Sequence, residues 1–263
     1  MELIADGKLI HVHRAAVNSF SSNSVELSTS LTLPSDATIL ATGWSTNQST
    51  IFNPSILETL GLPATLPSQE PHWKELENTA VERIRKLFPK LASPPKHVQK
   101  YDTEKRKDPT TTPFRLFRGL VSPELTGRGD RSLVVLGTLL NTAIPTYAEI
   151  SALWGVAYLE SHPFAPSVTN SLANVQKMRE DIALMNAWGW VRARCRNFMY
   201  FDGSQEIQLF MDLLVEDLGL KSQRKKIKGR GLGWAREWLE PYKGGDYNGL
   251  VEEYVKRWKL GRQ

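Results

Sequence analysis

The chain has one cysteine, Cys195, in 263 residues. That excludes an internal disulfide framework and any cysteine-cluster metal site, and it fits a reducing, cytoplasmic setting. No apolar run approaches the ~20 residues that a membrane-spanning helix needs. The first residues, Met1-Glu2-Leu3-Ile4-Ala5-Asp6, lack the apolar stretch of a secretory signal. No G-x-G-x-x-G loop and no P-loop is present, and no Ser-His-Asp or paired-carboxylate arrangement stands out. The one glycine cluster, Gly229-Arg230-Gly231-Leu232-Gly233, follows a basic stretch rather than a strand and has the wrong spacing to cradle a dinucleotide phosphate.

What is present is the composition of an ordinary globular protein, 41% hydrophobic and 23% charged, long enough for one sizeable core or two modest ones. The net charge of +5 is concentrated in residues 221–230, which hold six Lys or Arg and no acid. That segment reads as a solvated loop after a helix. The competing reading, a nucleic-acid patch, lacks interleaved aromatics and a recognition module. His11 and His13 share one face of an alternating stretch, but two histidines without a third ligand do not make a metal site.

Patterning predicts a β-rich start. Leu9 to His13 alternates apolar and polar, Val17 to Phe20 and Val25 to Leu27 follow across a Ser-Ser-Asn-Ser turn, and Thr38 to Thr42 closes the group as a buried strand that exits through Gly43. A short helix is expected at 55–60, ended by Gly61 and Pro63. A longer one covers 70–88, with Trp73, Leu76, Ala80, Ile84 and Leu87 on one face. Residues 93–113, polar and proline-containing, read as an exposed loop or linker. A second apolar strand is expected at 132–137, ending in Gly137, with Asn141 as either pocket lining or turn. Helices are then expected from near Thr146 (stripe Ile150, Leu153, Trp154, Ala157, Tyr158), over 171–194, over 204–218 stopped by Gly219, and over 247–259. The fold class is an incomplete α/β: a β-meander and core strand followed by a helix-rich C-terminal half. The expected regions are 1–50, 51–130 and 131–263.

Several strings then acquire a joint meaning. Ala41-Thr42-Gly43-Trp44 resembles the turn that joins the FAD and NADPH domains of flavin-containing monooxygenases. Arg131 to Gly137 resembles that family's late strand. Thr146-Tyr147-Ala148-Glu149-Ile150-Ser151-Ala152-Leu153-Trp154 resembles the helix that follows it, with Ser151 where the family commonly carries Gln. Pro241-Tyr242 and Asp246-Tyr247 are similar to fungal members with a helical tail. The resemblance covers nearly the whole chain and implies a C-terminal portion of an FAD- and NADPH-dependent monooxygenase that oxygenates a small molecule through a flavin hydroperoxide. It places Thr42, Gly43, Trp44, Gly137, Thr146, Glu149 and Ser151 along the flavin and names no catalytic residue. It also departs from the family, since neither phosphate-binding loop is here, so the chain alone is expected to be inactive. Each residue has a plainer explanation as well. Thr42 and Gly43 make a tight strand exit, and Thr146 with Glu149 makes a Thr-x-x-Glu capping box. Trp154, Trp188 and Trp190 read as core. The expected partners are a small-molecule substrate and a protein that completes the sheet, with no membrane and no nucleic acid. A non-catalytic binding module is the second reading.

Overall fold

The computed structural model describes residues 10–38, 51–64, 71–93, 112–140, 143–193, 199–200, 203–225 and 233–259. The chain divides into two compact units, Met1–Thr46 and Asn47–Gln263.

The first unit is a three-stranded antiparallel meander of β1 (Val17–Phe20), β2 (Ser24–Leu27) and β3 (Thr32–Pro34) in that order. The serine-rich turn closes as expected, with Ser21 N–H donating to the Ser24 carbonyl at 2.8 Å. Val25 sits opposite both Phe20 and Leu33, and a bulge falls between Val17 and Ser19. Leu27 is the one buried hydrophobic residue among the described residues of this unit. The strand expected at Leu9 to His13 does not form over residues 10–13, and both histidines are exposed. Alternation makes a strand only where a neighbour supplies the ladder, and the described strands pair only with one another. The buried strand expected at Thr38 to Thr42 lies, from residue 39 on, outside the described residues.

The second unit is helical. A 3₁₀ turn, Pro54–Ile56, leads to α1 (Pro71–Leu87), α2 (Pro89–Ala92), α3 (Pro123–Gly127), β4 (Leu139–Leu140), α4 (Ile144–Leu159), α5 (Pro166–Leu172), α6 (Val175–Ala193), β5 (Met199–Tyr200), α7 (Gly203–Asp217) and α8 (Gly233–Leu239). A 3₁₀ turn, Gly244–Tyr247, precedes α9 (Leu250–Trp258). Its main core gathers Phe117 and Leu120, the inner faces of α4 and α6 (Trp154, Tyr158, Met178, Ile182), and Ile207, Phe210, Leu214 and Leu218 from α7 onward. Trp154 is fully buried, stacked on Tyr158 at 5.8 Å and tilted against Phe164 at 4.9 Å. A smaller cluster joins Leu57, Leu60, Leu62 and Ala64 to Phe114 and Leu116.

Three expectations need correction. The apolar segment 132–137 forms no strand and belongs to no sheet among the described residues. The parallel pairing falls instead at Leu139–Leu140 with Met199–Tyr200. Val135 N–H is taken by the Leu120 carbonyl, and Gly137 adopts φ +78°, so the chain turns before the ladder begins. The end of the expected loop is core: Thr112 is buried and exchanges hydrogen bonds with Ala64. Residues 94–111 lie outside the described residues. The helix expected from 171 begins at Val175, because Asn174 accepts from Lys177 N–H and caps it while α5 ends separately. Among the described residues, no helix is long and apolar enough to cross a membrane.

Candidate functional site

Of the residues that resemblance assigns to a flavin, Thr42, Gly43 and Trp44 lie outside the described residues, as do Asn141 and Cys195. Gly137, Thr146, Glu149 and Ser151 all lie in the second unit, around the start of α4. The helix begins two residues earlier than its expected start near Thr146, with Pro145 in its first turn. The Thr146–Glu149 capping box therefore does not form. Ala143 is the N-cap and makes no side-chain hydrogen bond, so this 16-residue helix starts without a side-chain cap of its own.

Behind that end sits a small group of hydroxyls. Thr138, next to Gly137 and buried, donates to the Gly119 carbonyl at 2.7 Å. Ser151, 1% exposed, donates to the Ala148 carbonyl at 3.1 Å. With their protons committed, both oxygens can still accept. Tyr147 lies beside them, its phenol held above its ordinary pKa by burial, against the pull of the Thr138 and Ser151 hydroxyls. Its hydroxyl is buried and completes no hydrogen bond of normal geometry with the described residues, a state that costs a buried polar group about 1–3 kcal/mol. Gly137 and Ser151 thus converge through Thr138 and Tyr147. Thr146 turns elsewhere: its Oγ1 stands 3.1 Å from where a Cβ on Gly244 would be. Glu149 is exposed.

The stretch around the start of α4 thus holds a helix start without a side-chain cap, a glycine at φ +78° with open space where its side chain would be, and a buried phenol. The sequence holds no G-x-G-x-x-G loop of the kind that cradles a pyrophosphate. No group of three or more His, Cys, Asp or Glu is placed to hold a metal among the described residues.

Two further polar clusters escaped the sequence reading. Arg118 donates to both carboxylate oxygens of Asp217, at 2.7 and 3.2 Å, and Trp154 Nε1–H donates to the same group at 3.1 Å. Burial holds Asp217 above the usual carboxylate range, although Arg118 and Trp154 draw it down. The second cluster corrects the reading of residues 221–230 as a solvated loop at Arg224 and Lys225; residues 226–230 lie outside the described residues. Arg224 is fully buried and pairs bidentately with Glu253 at 2.6 and 3.0 Å, and buried Lys225 donates to the Glu240 and Pro241 carbonyls at 2.8 and 2.7 Å. Two of the six cations are therefore internal fastenings, which weakens the case for a nucleic-acid patch.

Beside these, Tyr247 donates to Asp212 at 3.1 Å and Tyr242 donates to Glu237. Asp212 is pushed up to about 6, first by burial and further by the like charges of Glu216 and Glu237, while the Tyr247 and Gln208 hydrogen bonds oppose the rise. Asp212 shares its helix face with Gln208 and Glu216, and no partner for it or for Asp217 is written in the sequence.

The chain is similar over 93% of its length to an FAD-dependent monooxygenase of Aspergillus versicolor (30% identity) and to one of Alternaria brassicicola (31%). It is likewise similar over 93% of its length to one of Fusarium langsethiae (29%). The matches cover 36%, 39% and 40% of those proteins, so the chain spans less than half the length of the curated relatives it matches. No family model matches it, and no solved structure matches it. The chain is thus a relative of the fungal FAD-dependent monooxygenases, matched along nearly its whole length to a portion of theirs.

Proposed function

We propose that the chain is the C-terminal portion of an FAD- and NADPH-dependent monooxygenase and forms part of the wall that faces the flavin. The match along 93% of the chain to proteins named FAD-dependent monooxygenase carries this reading. The uncapped start of α4 and the buried Tyr147 hydroxyl support it. FAD, when bound and reduced by NADPH, supplies the oxygen chemistry of a small-molecule oxygenation. The chain's own residues bind and exclude water. The first-turn N–H groups of α4 would face a ring carbonyl, where the helix end favours negative charge. Thr138, Tyr147 and Ser151 would order the polar edge, and the aromatic core behind them keeps the region dry. Thr42, Gly43 and Trp44 belong to the same proposal on resemblance alone.

The test is a comparison of flavins. If the chain contributes contacts to the ring and none to the pyrophosphate, then riboflavin, FMN and FAD should quench with equal affinity in a fluorescence titration, with no NADPH oxidation. No quenching by any of the three in a folded sample would overturn the ring-facing role. Binding of FAD far tighter than riboflavin, or NADPH turnover by the chain alone, would overturn the argument that the phosphate site lies elsewhere. A second reading, a non-catalytic module that pairs with a protein partner, has one observation in its favour. β4 and β5 form a parallel pair with no third strand among the described residues, and parallel sheets are rarely so small.

A further inference from the structure

α4 is apolar on two sides. Tyr147, Ile150, Trp154 and Tyr158 face the core, while Ile144, Ala148, Ala152, Val156 and Leu159 stand exposed on the other side. Steps of four, four, four and three residues set those five in one inclined ridge along the helix, about 24 Å long. Ala148 and Ala152 are short, so another backbone can come close at the middle. A helix that is apolar all round belongs inside a protein, so the ridge is a face that calls for cover. Beside it, Val134 packs where a Cβ on Gly155 would stand 3.0 Å away, and Leu136, two residues on, is 53% exposed.

Charge and area limit what can cover it. In a chain of net charge +5, residues 132–176 hold no Lys or Arg. The charges on α4 and at its end are Glu149 and Glu160, both exposed. Two copies paired through α4 would bring four carboxylates to one contact with no cation on either helix to meet them. That contact would also be one helix face, about 24 Å by 10 Å, well short of the ~800 Å² that each partner gives to a stable interface. An anionic lipid surface fits no better, because helices that lie on one carry Lys and Arg beside the apolar face. The relatives offer a third occupant. The match covers 93% of this chain and 39% of the Alternaria brassicicola protein, so most of that protein lies outside the match. This sequence holds no phosphate-cradling loop. A flavin ring at the start of α4 therefore needs a polypeptide with such a loop beside that helix end, and the ridge begins there, at Ile144.

We infer that the outer face of α4 is the docking surface for the phosphate-binding portion of an FAD-dependent monooxygenase. That portion meets the ridge with an apolar patch and sets Lys or Arg opposite Glu149 and Glu160, which gives the contact its register. The identity of the occupant rests on the proposed function; the ridge and its acidic rim do not.

The test mixes the full chain with the unmatched portion of the Alternaria brassicicola relative, purified with FAD bound, and follows complex formation by light scattering. Ala152→Cys, exposed at mid-ridge, reports cover. Maleimide should modify it readily in the free, monomeric chain, with the natural chain and its Cys195 as the blank. In the complex, modification should be at least about tenfold slower. Ala152→Glu should weaken the complex at least about tenfold, whereas Val251→Glu, at an exposed position of α9, should leave it within about twofold. If the portion does not fold alone, co-expression with this chain should make it soluble, and Ala152→Glu should abolish that rescue. Neither complex nor rescue, or equal binding by Ala152→Glu and Val251→Glu, would overturn the inference. So would a dimeric chain that Ala152→Glu renders monomeric, which gives the ridge to a second copy. A monomeric chain whose Ala152→Cys thiol resists maleimide would overturn it too, because the ridge would then be covered from within. Docking is read without flavin quenching. A complex in which the chain shows no ring contact refutes only the flavin reading, and quenching without a complex refutes only the docking.

Discussion

Asp217 has to satisfy three demands at once. It ends α7, it is buried, and it accepts from both Arg118 and Trp154. Arg118 is itself held at φ +55°, followed by Gly119 at φ +68°, in a tight reversal between Phe117 and Val121. A non-glycine residue keeps that conformation only where its surroundings fix it, and the bidentate grip on Asp217 is that fixture. Removing one partner of a buried pair costs about 3–5 kcal/mol, toward the lower figure here because Asp181 also stands 3.9 Å from Arg118. Asp217→Ala should therefore lower the free energy of unfolding in urea by about that amount, and Asp217→Asn, which still accepts from Trp154, by less. A loss below about 1 kcal/mol for Asp217→Ala would mean the pair orients the turn without holding it. None of this was legible beforehand. Sequence pattern places Phe210, Leu214 and Leu218 inward but gives no partner for an acid among them, and the partner lies 99 residues away. Arg224 and Lys225 were misread for the same reason. A run of like charges signals solvent unless acids from elsewhere in the chain neutralise it, and those acids, Glu240, Asp246 and Glu253, come from the segment after α8 and from α9.

Elements were more legible than partners. The apolar stripes of α1, α4, α7 and α9 carry their own period, so Trp73, Ala80, Ile84, Trp154, Ile207 and Tyr254 fall where spacing puts them. Strands depend on neighbours, and the two that failed, at residues 10–13 and 132–137, have alternating or apolar sequence but no ladder. The hydroxyl cluster behind α4 was half visible: Ser151 and Gly137 came from resemblance, while Thr138 and Tyr147 join them only through the packing of the helix. Gly219 is a stop signal that did work, and the structure adds a second reason for it. It sits at φ +75° after α7, and a Cβ there would stand 2.8 Å from the Trp258 ring, whose Nε1–H donates to the Leu218 carbonyl at 2.9 Å. Gly219→Ala should cost about 1–2 kcal/mol for the left-handed backbone and about 1 more for the displaced indole bond. The signature would be a lower urea midpoint together with a changed near-ultraviolet tryptophan signal. An unchanged midpoint would show that α9 tolerates displacement from the end of α7.

At the scale of the molecule, the two units differ in what they bury. The second carries a continuous core that runs from Trp73 to Tyr254 and the polar fastenings described above. The first is a meander whose described residues bury Leu27 alone among hydrophobics. A three-stranded sheet with so little apolar burial adds little to a cooperative transition. The larger unit has the size and the core to fold by itself. Residues 47–263, expressed alone, should therefore unfold cooperatively with a midpoint within about 2–4 °C of the full chain, the shift that 1 kcal/mol produces in a unit of this length. The proposed flavin contacts make the complementary demand, because Thr42, Gly43 and Trp44 would be lost with the meander. Ring-flavin quenching should weaken in 47–263 while stability does not. If stability collapsed along with quenching, residues 1–46 would be part of the fold of the larger unit, and their likeness to a flavin-side turn could not be separated from a structural role. If quenching survived deletion unchanged, the start of α4 alone would account for the flavin contact.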